Sequence, residues 1–141
     1  MASGSFNLSR TGSTSSYITF KCNWSSTPNN VENYSTVNVN VIASKSSSST
    51  AKTYGNQNTS ATVNGSTQSN SGSFTLQPGS SITLLSKSYK VYHNSDGKKT
   101  IPISVSVGGN AMWGSGSANV TLDTIPRHAS ITAAPNFNDE E

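Results

Sequence analysis

The chain lacks most of what chemistry requires. It has one cysteine, Cys22, so no disulfide can form within it. It has two histidines, His93 and His128, and six acidic residues. Three of the acids are Asp139, Glu140 and Glu141, which leaves Glu32, Asp96 and Asp123 for the body. Glycoside hydrolysis needs two carboxylates across a cleft, and these three fall in predicted turns or at strand ends. Nucleophilic catalysis needs a nucleophile, a base and an orienting group. Serine is everywhere, but the bases are His93 beside a turn, with Asp96 close by, and His128 in the tail. No G-x-S-x-G elbow occurs. Metal sites need clustered Cys, His or carboxylate, and Cys22 stands alone on an inward row, where it reads as a small core residue. A chain that is not an enzyme, with no catalytic residues, no metal and no cofactor, is expected.

Long apolar runs are missing too. No stretch approaches membrane-spanning length, so membrane insertion is not expected. The opening Met1-Ala2-Ser3-Gly4-Ser5 has neither a basic n-region nor an apolar h-region, so synthesis in a cytoplasm without ordinary secretion is expected. Charge is sparse, at 11% of residues, with a formal net of +3. The nine cations are scattered, with Lys98-Lys99 the one adjacent pair. Nucleic-acid binders cluster Lys and Arg along a stripe, so a solvated surface is the better reading and nucleic acid is not an expected partner.

What fills the space is 29 Ser, 16 Thr and 16 Asn, beside 31% apolar residues. Low apolar content often signals disorder, but disordered chains carry high net charge and few β-branched residues. Here the apolar residues alternate. Ile18, Phe20, Cys22 and Trp24 share one parity, and so do Val37, Val39, Val41 and Ala43. Gly72 to Leu76 presents Phe74 and Leu76; Thr100 to Val107 presents Ile101, Ile103, Val105 and Val107; Ser117 to Asp123 presents Ala118, Val120 and Leu122. In Ser81 to His93 the parity changes between Ile82, Leu84 and Tyr89, Val91, which predicts a bulge or break near Ser86. Ala51 to Tyr54 and Ser60 to Asn64 read as short strands about a Gly55 to Thr59 turn. Ser5 to Leu8 is a further edge candidate. The Asp96-Gly97 pair predicts a β-hairpin around Tyr92 to Lys98. About eight short strands with turn chemistry between them predict an all-β antiparallel sandwich, Ig-like or jelly-roll-like. It would span residues 1–126, with 127–141 a linker or the start of a following domain, so that the natural protein continues beyond Glu141.

Aromatic residues are the remaining candidates for recognition, because their faces stack on sugar rings while Asn, Ser and Thr bond the hydroxyls. Trp24 shares the inward parity of Phe20 and reads as core. Trp113 lies beside glycines, and its register from Leu122 turns it outward; covering an open end of the sandwich is the equal alternative. Tyr17, Tyr34, Tyr54 and Tyr92 are expected toward solvent. Trp113, Tyr92 and Tyr54 are the candidate contacts for a glycan or protein partner. Gly108-Gly109 and Gly114-x-Gly116 read as loop flexibility.

Three stretches resemble a known family. Gly4-Ser5-Phe6, with the strand Ile18 to Trp24 and Ser35-Thr36-Val37-Asn38-Val39, is similar to the start of minor structural tail proteins of siphophages of Gram-positive hosts, particularly streptococcal phages. The segment Val91 to Thr100 resembles one common in those proteins, and Leu122 to Arg127, running on through Ser130 to Pro135, resembles their first interdomain junction. The resemblance implies a virion tail or tail-tip protein linked to host adhesion, in which an N-terminal domain attaches to the particle or acts as a spacer. The implied partners are other tail proteins, further copies of the chain in a closed oligomer such as a trimer, and host cell-wall polysaccharide. A carbohydrate-binding module is the alternative.

Overall fold

The computed structural model describes residues 2–110 and 112–127. Eight strands follow one another: β1 (Ser3–Arg10), β2 (Ile18–Asn29), β3 (Tyr34–Lys45), β4 (Lys52–Val63), β5 (Ser66–Leu76), β6 (Ser81–Tyr92), β7 (Thr100–Gly108) and β8 (Gly114–Thr121). No helix occurs among the described residues. The strands form one sheet in the order β5-β4-β7-β8-β1-β2-β3-β6, and every neighbouring pair is antiparallel. The all-β antiparallel expectation holds. The two halves enclose a common core as in a sandwich, but β1 makes them continuous. Its residues Ser3 to Leu8 pair with β2, and Ser9 and Arg10 then pair with β8. The supposed edge strand is therefore the link between the halves.

Period-2 alternation builds the interior, because successive strand side chains point to opposite faces. In β3 the row Val37, Val39, Val41 and Ala43 is fully buried; it lies beside Ile18, Phe20 and Cys22 of the neighbouring β2 and shares one cluster with Ile101, Ile103 and Val105 of β7. Trp24 packs on this cluster from a half-buried position. Full burial of each such side chain contributes roughly 1.5–3 kcal/mol. The parity change in β6 falls at Leu84-Leu85, both buried. Val41 pairs with Leu85 and Ile42 with Thr83, so Leu84 is the extra residue of a bulge.

The far edges of the sheet, β5 and β6, meet along a seam closed by side chains. Gln68 Nε2 donates to the Ser88 carbonyl at 2.7 Å, and Asn70 Nδ2 to the Leu84 carbonyl at 2.9 Å. Tyr89 Oη donates across the interior to the Ala61 carbonyl at 2.6 Å. Amides on the seam occupy acceptors that an open edge would offer to another chain.

Three local expectations are corrected. Gly55 to Thr59 is not a turn: β4 runs through it, with a register shift between Tyr54 and Gln57 and Asn56 at φ 49°. The irregularity turns Gln57 and Thr59 inward. Gln57 Nε2 donates to the Gly108 and Met112 carbonyls, and its Oε1 accepts from Met112 N–H. Asp96-Gly97 does form a turn, with Gly97 N–H donating to the Asn94 carbonyl at 2.8 Å. Its flanking strands do not pair, however, because β6 lies on β3 and β7 lies on β4 and β8. The turn carries the chain from one half to the other. Gly97 takes φ 83° against the Ile125 carbonyl, which leaves no room for a Cβ. Finally, Gly114 and Gly116 lie within β8. A Cβ on Gly114 would come within 2.8 Å of Phe20, and one on Gly116 within 3.1 Å of Leu8 Cα, so their bareness admits β1 as it crosses over.

Candidate functional site

The inward row of β3 ends in a polar residue at each end, and the two ends of the molecule differ. At the first end Ser35 takes the inward position, buried against His93. Ser35 Oγ lies 2.7 Å from His93 Nε2, and His93 Nδ1 lies 2.7 Å from the Gly97 carbonyl. A carbonyl only accepts, so Nδ1 donates to it, and Nε2 shares a hydrogen bond with the Ser35 hydroxyl. Asp96 is turned away from the ring and accepts from Lys98 N–H at 3.0 Å. His93 is thus bound inward within the fold and not paired with Asp96. Tyr92 is on this same end, 58% exposed, in an edge-to-face pair with Tyr34 at 5.7 Å. Lys90 Nζ lies 4.5 Å from the Tyr34 centroid and 5.7 Å from that of Tyr92. Val31, 87% exposed, lies in the turn between β2 and β3 at this end.

At the opposite end the inward position is Lys45, a buried lysine only 7% exposed. Its Nζ donates to Tyr54 Oη at 2.7 Å and stands 5.0 Å from the Tyr54 ring centroid. Lys52 Nζ approaches the same ring at 5.4 Å. Over them opens a hollow of about 390 Å³ whose walls include Tyr17 and the hydroxyls of Ser13 and Ser48. The Lys45 backbone is fixed by bonds with the Ser80 carbonyl and Gly79 N–H, and Ser46 N–H donates to the Tyr17 carbonyl. Tyr54, expected toward solvent, is only 2% exposed, so its ring face is not available for stacking. It serves as the floor under two ammonium groups.

Trp113 lies at this end as well. Its N–H donates to Thr14 Oγ1 at 2.6 Å, and its carbonyl accepts from Thr11 N–H and Thr14 Oγ1. The half-buried indole lines a shallow hollow of about 200 Å³ with Thr11, Gly12 and Ser13, and Ser13 belongs to both hollows. Of the three candidate contacts, the fold brings Trp113 and Tyr54 to one end and leaves Tyr92 at the other. Lys45, the residue that organises the end, was missed. The signal was present: extending the parity of Val37 to Ala43 by one more step places a cation inside.

The remaining titratable residues are dispersed. Cys22 is wholly buried, and burial pushes its thiol up to about 12. Tyr89 is also raised, chiefly by burial and further by Cys22, against a lowering hydrogen bond from Gln68. No group of three or more His, Cys, Asp and Glu that could hold a metal ion occurs among the described residues. His128 and the acidic residues 139–141 lie outside the described residues.

A third surface is uncharged. On the outer face of β4, β7 and β8, Ser60 pairs with Ser106 and Ser106 with Ser115, while Thr62 pairs with Ser104 and Ser104 with Ser117. These two cross-strand rows line a concavity of about 370 Å³.

Compared with known proteins, no curated protein and no solved structure matches the chain. The profile of the family described as "Siphovirus protein of unknown function (DUF859)" matches residues 11–137. That span covers nearly all of the sheet, and it agrees with the siphophage resemblance of the sequence. The chain therefore belongs to this siphovirus protein family.

Proposed function

We propose that the chain is a structural protein of the phage tail or tail tip, an attachment or spacing module in host adhesion that runs no reaction. Membership of a siphovirus family supports a place in the virion. The observation that carries the attachment reading is the pair of hydroxyl rows on β4, β7 and β8. A rigid, uncharged, concave face can pack against another protein without burying unpaired charge, which is costly. The partners are other tail proteins and further copies of the chain in a closed oligomer, with a trimer the natural arrangement for a fibre. The host would be Gram-positive and of streptococcal type.

Sedimentation of the purified chain, with capture on isolated tails, tests this reading. Self-association or tail binding is expected, and Ser106→Lys should weaken it by about tenfold or more, because an unpaired charge would be buried at the contact. A monomer that binds no tail component would sink the reading.

A second reading, carbohydrate recognition, is favoured by the half-exposed Trp113 indole and its hollow. Host cell walls should then retain the wild type and release Trp113→Ala. Walls that retain neither protein, or both equally, would count against it.

A further inference from the structure

The acids are segregated along the molecule, while cations lie at both ends. All three acids of the described residues lie at the His93 end: Glu32 in the β2–β3 turn, Asp96 in the β6–β7 turn, and Asp123 just after β8. The other end holds Arg10, Lys45 and Lys52, with no acid among the described residues there. Arg10 is engaged with the Ile18 carbonyl at 2.9 Å. Lys45 meets only the Tyr54 hydroxyl and ring among the described residues. An ammonium has three N–H donors, and the described residues give this one a single hydrogen bond, to a neutral phenol. A nearly buried cation held by one neutral phenol and its ring has no counter-charge among the described residues, and an anion would supply one.

We infer that the hollow over Lys45, Lys52 and Tyr54 binds a phosphate ester of a sugar or polyol. Lys45 and Lys52, both near the Tyr54 ring and both lining the hollow, bring two positive point charges to it. Lysine binds phosphate in this way, as a point charge and not as a planar fork. The walls supply hydroxyls and no carboxylate, which fits a ligand body rich in hydroxyl groups. A hollow of about 390 Å³ is the size of a small-molecule site. The acid-free end also raises the local concentration of anions before contact. The site is separate from the hydroxyl rows of β4, β7 and β8, so it does not depend on the attachment reading.

Calorimetric titration of the purified chain with glycerol 3-phosphate, inorganic phosphate, glucuronate and uncharged glycerol tests the assignment. Glycerol 3-phosphate should bind with a Kd in the millimolar range or tighter. Inorganic phosphate should compete with it, glycerol should not bind, and added salt should weaken the complex. Lys52→Gln, on the exposed rim, and Lys45→Met, which keeps the buried stem, should each weaken binding by about tenfold. Folding of both is checked by circular dichroism, and Lys52→Gln alone decides if Lys45→Met does not fold. The assignment is overturned by a folded wild type that binds no phosphate, by binding that Lys52→Gln leaves unchanged, or by glucuronate binding as tightly as glycerol 3-phosphate. Tail capture by Ser106→Lys is read separately, so the two proposals fail independently.

Discussion

The two ends of β3 pose the same problem and solve it differently. At each, the inward row stops at a polar side chain that must leave water. At the Ser35 end both imidazole nitrogens of His93 find partners and a turn closes over them. At the Lys45 end the ammonium meets only Tyr54 among the described residues, and it lines a hollow. A buried polar group with every bond made specifies structure, while one with bonds to spare is available to a ligand. Stability and recognition have been placed at opposite ends of one strand.

The sharpest way to break the closed end is Gly97→Ala. The added Cβ would strike the Ile125 carbonyl at a residue already held at positive φ. The loss should be about 3 kcal/mol or more, seen as a large fall in Tm, with no comparable effect from Gly65→Ala. Gly65 also has positive φ, but a Cβ there meets nothing within 4 Å.

His93→Phe sets the two ends against each other. It leaves the buried Ser35 hydroxyl and the Gly97 carbonyl without the ring nitrogens and should cost about 2–3 kcal/mol in urea unfolding. Lys45→Met should stay within about 1 kcal/mol of wild type, since removing an under-paired buried charge in favour of an apolar stem is near neutral. Equal losses from the two substitutions would erase the contrast.

Between the ends, Cys22 offers a pH measurement. An unfolded thiol ionises near 9.0, whereas burial holds the native one to about 12. The native state therefore keeps its proton where the unfolded chain gives it up. Stability is unaffected below about pH 9 and falls as pH rises from there toward 12. Cys22→Ala should flatten that fall, and iodoacetamide should label the wild type only on unfolding.

The smallest effect has the opposite sign. Thr59 is buried and its hydroxyl has no hydrogen-bond partner among the described residues. Thr59→Val should raise stability by up to about 1 kcal/mol, read from the urea midpoint.

The apolar rows of β2, β3 and β7 were legible from alternation alone, and with them the all-β class and the burial of Cys22. Polar strands were not. β5 runs Ser66–Leu76, but its first half is Ser, Thr, Gln and Asn on both faces and carries no period. β4 was split because Gly55 and Asn56 are chain breakers by composition, while the bulge they form keeps Gln57 and Thr59 in the ladder. The apparent hairpin failed because Asp-Gly sets a local turn and says nothing about which neighbours the flanking strands will choose. Trp113 was legible as a residue at an open end. Lys45 was hidden because a cation at an inward position looks like the end of a strand, although it is the strand's last inward residue.

The double allegiance of β1 has a consequence for biogenesis. Its first partner, β2, follows it closely in the chain, but its second, β8, is the last strand among the described residues. While the ribosome is still at work, the N-terminal strand has one neighbour and a bare tip at Ser9 and Arg10. Closure waits on a contact between residues 9–10 and 114–115, the kind of distant pairing that slows folding. Nascent chains halted before Gly114 should thus remain open and prone to pairing with one another.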